Sequence, residues 1–144
     1  MMYLVFGRRW ILWDMLQGVK MALFANEMEY KMLRDRYRKA LDAERIAKDE
    51  LEAEKKRDPL MDLPADTSYK IVKEKEKEHD ARVTELKEKL QAKSAEVNGI
   101  TGELGRLNNI IYHNRLKYDF LSGYDLSTHK GYEEIKKEMA EIGL

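Results

Sequence analysis

Apolar residues that recur alternately three and four apart, on both sides of a short proline-bounded break, are the feature that most constrains this chain. Val83, Leu86, Leu90, Val97, Ile100, Leu104, Leu107 and Ile111 follow that spacing in the second half, interrupted only by Lys93. It is the spacing that holds one helix face against a partner. Leu12, Leu16, Val19, Leu23, Tyr30, Leu33, Tyr37, Ala40, Ala47 and Leu51 follow it in the first half, with Asn26 and Glu44 as polar exceptions. The pattern predicts long helix, loop, long helix, and leaves little sequence for an active site.

Composition supports a narrow seam over a thick core. Charged residues make up 38% of the 144 residues, and the mean hydropathy is -0.69, too polar for a compact globule of this length. Lys+Arg and Asp+Glu are equal at 27 each, so there is no global field to attract nucleic acid. The absence of cysteine removes disulfides, thiolate metal sites and a cysteine nucleophile.

Residues 1–25 form an amphipathic, basic and aromatic segment continuous with the first helix. Ile11, Leu12, Met15, Leu16, Val19, Ala22 and Leu23 fall on one side, and Asp14, Gln17 and Lys20 on the other. Trp10, Trp13, Met21 and Phe24 widen the apolar surface beyond one stripe. A two-helix seam needs less, so this end is expected to make a second contact, with another subunit or with a lipid interface, where tryptophan is favoured. A broader contact within the chain is the alternative. Arg8, Arg9, Asp14 and Lys20 argue against a membrane span. The segment also resembles a targeting peptide, and any import signal it holds is expected to be retained.

Residues 26–58 carry alternating charges, such as Glu27 and Lys31 or Glu52 and Lys56 four apart, as on a solvated helix face. Pro59 predicts a stop at Asp58. The loop spans 59–68, and Asp66, Thr67 or Ser68 can cap a helix over 69–117. Within it, Gly99, Gly102 and Gly105 recur at intervals of three. They weaken the helix by about 0.5–1 kcal/mol each relative to alanine. A smooth strip that admits another backbone is expected, with a kink or bulged turn as the competing reading. Residues 118–131 interleave aromatics with glycine and small polar residues, which suggests an irregular segment held by its rings. Over 132–144, Tyr132, Ile135, Met139 and Ile142 share one face of a helix too short to be stable alone.

Two segments of nearly equal length joined by about ten residues predict an antiparallel hairpin. The expected fold is thus all-α: an elongated, coiled-coil-like antiparallel helical hairpin with an amphipathic N-terminal extension and a short C-terminal helix. Folding about residue 63 places Ala40 opposite Leu86, Tyr37 near Leu90, Tyr30 near Val97, Leu23 near Leu104, Val19 near Leu107 and Leu16 near Ile111. Lys93 then faces Leu33, and Asn26 faces Ile100. The expected hairpin has an apolar, aromatic end at its termini and a charged end at its loop. The rival is a parallel homodimer through either stripe, with Asn26 setting register.

No catalytic, cofactor or metal site is expected. His79, His113 and His129 are dispersed and lack a second ligand at helical spacing. Ser127 and Lys130 have the spacing of some acyl enzymes, but no companion motif, and Ser127 or Thr128 fits a helix N-cap better. Arg34, Arg36, Tyr37 and Arg38 could touch phosphates, but Asp35 and Asp42 interleave. Tyr112, His113, Arg115 and Tyr118 form a mixed cluster that suits a contact surface or a capping layer. The interface candidates are Trp10, Trp13, Leu16, Leu23, Phe24, Gly99, Gly102, Gly105, Tyr112, Tyr118, Phe120, Tyr124 and Tyr132.

These readings converge on a noncatalytic accessory subunit that braces neighbouring protein subunits of a large assembly, with its N-terminus against another subunit or a lipid interface and neither nucleic acid nor a small-molecule substrate as partner. A membrane-associated mitochondrial complex at the inner membrane fits the basic, tryptophan-bearing N-terminal helix. A cytoplasmic cytoskeletal or axonemal coiled-coil component, or a viral or phage structural protein, is the alternative.

Overall fold

A computed structural model describes residues 2–124 and 131–144, with side chains from Trp10 onward. It is all-helical among the described residues: α1 spans Met2–Lys56, α2 Tyr69–Ser122 and α3 Tyr132–Glu141. The two long helices pack against each other as a helical hairpin. Two compact units are distinguished, Met1–Leu33 with Glu103–Leu144, and Arg34–Gly102.

In the first unit, Asn114 on α2 donates through Nδ2 to Oδ1 of Asn26 on α1 at 2.8 Å. The pairing corrects the expected register. Asn26 does not face Ile100 but a residue fourteen positions further along α2. In the second unit, Lys89 Nζ donates to Glu50 Oε2 at 3.1 Å, whereas folding about residue 63 puts Glu50 level with Glu76. The expected pairings of Ala40 with Leu86, Tyr37 with Leu90, Tyr30 with Val97, Leu23 with Leu104, Val19 with Leu107 and Leu16 with Ile111 are therefore displaced by about two heptads, as is that of Lys93 with Leu33. A heptad stripe slipped by seven or fourteen residues presents the same face, so apolar spacing alone does not choose among these registers. The polar residues do. With Asn26 opposite Ile100 or Leu107 its amide meets only a side chain that cannot hydrogen-bond; opposite Asn114 it has a partner.

The observed register puts Leu33 level with Leu107 in the first unit and Ala40 level with Ile100 in the second, and all four are buried. Leu with Leu and Ala with Ile keeps the seam filled without crowding. Ala47, 1% exposed, comes level with Lys93, which is half-buried.

The overlap of the two helices explains the loop. Because Glu54 Oε1 lies 3.2 Å from His79 Nδ1, at least Tyr69–Glu76 extends beyond the end of α1. Residues 57–68 run back over this exposed start of α2 as a string of tight turns. Met61 N–H bonds Asp58 O, Leu63 N–H bonds Leu60 O and Thr67 N–H bonds Pro64 O. The Asp58 carboxylate accepts from Leu60 N–H at 2.9 Å, an Asx turn. α1 stops at Lys56, two residues before Asp58. Ser68 O accepts from the amides of Ile71 and Val72 as α2 begins.

At its far end α2 continues five residues past Lys117, so Tyr118–Ser122 are helical and not part of an irregular segment. Leu107, Asn114 and Leu121 are seven apart, and the stripe carries Leu121 into the core. Gly123 then terminates the helix, its N–H bonded to Asp119 O at 3.1 Å. α3 docks here. Leu121, Ile135 and Met139 form a buried cluster, packed by Ile11, Leu12, Met15, Leu16, Val19, Phe120, Tyr124 and Leu144. The N-cap expected at Ser127 or Thr128 lies outside the described residues, and Gly131 precedes α3 instead, at φ 144°. α3 ends at Glu141, with Gly143 at φ 82°. Leu144 N–H bonds Met139 O at 2.8 Å and Gly143 N–H bonds Ala140 O at 3.1 Å. This is a Schellman stop, and its characteristic apolar contact is supplied by Leu144 on the cluster holding Met139. Ile142, expected on the docking face, points away and is 59% exposed.

Candidate docking surface

Helix α1 is apolar on two opposite faces between Trp10 and Leu33. One face is the seam and the α3 cluster. On the other, Trp10, Trp13, Met21, Phe24, Met28 and Met32 are 48–72% exposed. With Gln17 they step by three, four and four residues, twice over, an eleven-residue repeat that runs nearly straight along a helix. All seven positions fall within roughly 100° of the helix surface. The stripe is about 33 Å long at 1.5 Å per residue. It presents roughly 600–800 Å² of apolar surface, more than the few hundred Å² usual on a monomer. The two tryptophan rings meet edge to face at 5.9 Å.

Its edges differ in charge. Lys20 and Lys31 border one side, and Asp14 and Glu29 the other; all four are exposed. Glu27, further round on the basic side, pairs with Lys31 at 4.0 Å. Lys20 Nζ lies 6.0 Å from the centre of the Tyr118 ring. With Leu23, Phe24 and Glu27 these two residues line a shallow groove of about 300 Å³ along the basic edge. Gly18 and Ala25 are exposed on the acidic side, and a Cβ on Gly18 would meet nothing within 4 Å.

The structure divides the thirteen interface candidates. Trp10, Trp13 and Phe24 belong to the exposed stripe. Leu16, Phe120 and Tyr124 instead pack the cluster beneath α3, where the Phe120 and Tyr124 rings are 5.4 Å apart and the Tyr124 hydroxyl donates to Glu138 Oε2 at 2.6 Å. Leu23 and Tyr118 are half-buried. Tyr112, 61% exposed, stands edge-on to His113, and Tyr132 lies under Lys136 Nζ at 4.9 Å. Gly99, Gly102 and Gly105 are exposed within unbroken helix, and no atom lies within 4 Å of a Cβ built on any of them. Helix α2 is unbroken across them, and no second backbone among the described residues packs on them. Met28 and Met32 escaped the sequence reading because they sit among the charges of residues 26–58; their spacing from Trp10, Met21 and Phe24 was the available signal.

A cleft of about 640 Å³ between the loop and the start of α2 is lined by Glu54, Arg57, Asp58, Asp62, Lys75, Glu78 and Arg82 with Pro59, Met61 and Leu63. Several of its charges pair with neighbours: Glu54 with His79 and with Arg57 at 3.4 Å, Lys75 with Glu78 at 3.7 Å, and Arg82 with Glu85 at 3.4 Å. These pairs tie helix ends and fix side chains beside the loop. Among the described residues no group of three or more His, Cys, Asp or Glu side chains is placed to hold a metal ion, and no helix is long and apolar enough to cross a membrane. No protein-family model, curated protein or solved structure matches the chain.

Proposed function

We propose that this chain is a noncatalytic structural subunit that braces neighbouring proteins in a larger assembly, with the exposed stripe of α1 as its principal docking face. The observation that supports this is the second apolar face on α1, opposite a seam already filled by α2 and α3. A helix with apolar residues on both sides is suited to lie between two partners. The hairpin supplies one of them. Tyr112, Tyr132 and Ile142, each exposed, offer further contact points in the same unit.

A membrane-associated mitochondrial setting is the finer part of the proposal, supported by Arg8, Arg9 and the tryptophans that follow them in α1. Imaging of the full chain with a C-terminal fluorescent tag tests it, and exclusion of the tag from mitochondria overturns that part alone. Native electrophoresis of gently lysed cells tests the assembly. The chain should migrate in a particle several times its own 17.0 kDa, and Met21→Asp/Phe24→Asp should release it. Migration of the unaltered chain solely as a monomer or dimer would refute the subunit reading.

A further inference from the structure

We infer that the occupant of the α1 stripe is a second copy of this chain, joined side by side in parallel through Trp10, Trp13, Met21, Phe24, Met28 and Met32. The inference rests on the reading of the stripe as a docking face and specifies what docks there. Three observations on the stripe support it.

The first is area. Two copies of a face of roughly 600–800 Å² bury about 1,200–1,600 Å² together, the size of a stable, specific interface. The second is shape. An eleven-residue repeat pairs with the same repeat on a second helix along its whole length, with a slight right-handed supercoil. Three methionines among the six side chains let the two surfaces adjust around the rigid tryptophan rings.

The third is charge, and it sets the direction. In a parallel twofold pair the basic edge of each copy meets the acidic edge of the other. Lys31 then comes level with Glu29 of the second copy. Lys20 lies about 9 Å along the axis from the second copy's Asp14, within reach of two extended side chains. Gly18 and Ala25, small and exposed on the acidic edge, leave room for the lysine stems. An antiparallel pair centred on Met21 instead matches like with like, bringing Asp14 beside Glu29 and Lys20 beside Lys20. Such juxtapositions are disfavoured. Asp14 beside the stripe and equal numbers of acidic and basic residues in the chain also favour protein over an anionic lipid surface.

The purified full chain tests this by sedimentation velocity from about 1 to 100 μM, a range bracketing ordinary specific association. The expected species is a dimer of twice 17.0 kDa. Phe24→Asp/Met28→Asp should weaken it by at least about 100-fold, since it buries two charges from each copy within the contact, with unchanged helical circular dichroism because both side chains are exposed in the monomer. The chain has no cysteine, so single replacements report direction without background. Trp10→Cys and Met32→Cys should each crosslink to their own kind in the parallel dimer. Crosslinking only in the mixture of the two would overturn the parallel arrangement. A monomer at the highest concentration would overturn the second copy altogether. If that monomer floats with phosphatidylcholine vesicles, the stripe docks on lipid. If it enters the large native particle through the stripe, the subunit reading survives without the dimer.

Discussion

Replacing Asn114 with alanine should destabilise the hairpin through a partner 88 residues away in sequence. The Asn114 amide donates to Asn26 at 2.8 Å, and both residues are half-buried. Removing one partner of a buried pair loses a bond with a net contribution of about 1 kcal/mol and strands the other amide at a further cost of about 1–3 kcal/mol. Half-burial lets water reach the stranded group, which puts the expected loss near 1–2 kcal/mol. Asn26→Ala should cost a similar amount. The double variant Asn26→Leu/Asn114→Leu should recover most of the loss, because leucine restores the apolar layer and leaves no amide unpaired. Urea unfolding followed by circular dichroism on Asn26→Ala, Asn114→Ala and Asn26→Ala/Asn114→Ala closes a double-mutant cycle and gives the coupling energy. A coupling below about 0.3 kcal/mol, within the error of additivity, would show that the two residues do not meet and would refute the register. The leucine double variant should also lose uniqueness of register, since nothing polar then opposes a slip of seven or fourteen residues.

Leu107, 1% exposed in the seam, should cost about 2–5 kcal/mol as Leu107→Ala in the same unfolding assay. Ile135→Ala, at 0% exposure, should cost a comparable amount and release α3, seen as faster proteolysis after Ser122, because ten residues do not hold a helix alone. Gly99→Ala/Gly102→Ala/Gly105→Ala should raise stability by about 1.5–3 kcal/mol, since the positions are helical and open. If that variant folds more stably yet no longer enters its assembly, a partner approaches α2 there. Gly131→Ala should destabilise α3 through the strained φ of 144°, and a neutral effect on unfolding would argue against that cap.

Most of the architecture was legible because it depends on local rules. Pro59 and Pro64 bracketed the break, Asp66, Thr67 and Ser68 marked the second start, and the three-four spacing of Leu, Val and Ile gave the seam. Register was not legible from that spacing, because heptad patterns are degenerate at multiples of seven. It lay instead in Asn26 and Asn114, whose need for each other distinguishes one register from its slips, and in Glu50 with Lys89. The end of α2 was misplaced for a related reason. Aromatic and glycine content between Tyr118 and Tyr132 suggested irregular chain, whereas the stop signal is Gly123 and the stripe continues through Leu121. The docking face was half visible. Tryptophan and phenylalanine stood out near the N-terminus, but Met28 and Met32 were hidden among charges that do belong to a solvated helix. The glycine strip and the tyrosines of α2 depend on a partner, and local physics does not name one.

The most direct test of the hairpin and its register is crosslinking of engineered cysteine pairs in a chain that has none of its own. With a short bismaleimide, Asn26→Cys/Asn114→Cys should crosslink within one chain at dilutions where collisions between chains are negligible. Asn26→Cys/Ile100→Cys, which lies two heptads or about 21 Å along α2 from that pairing, should not. Intrachain crosslinking of the second pair and not the first would contradict the structure described.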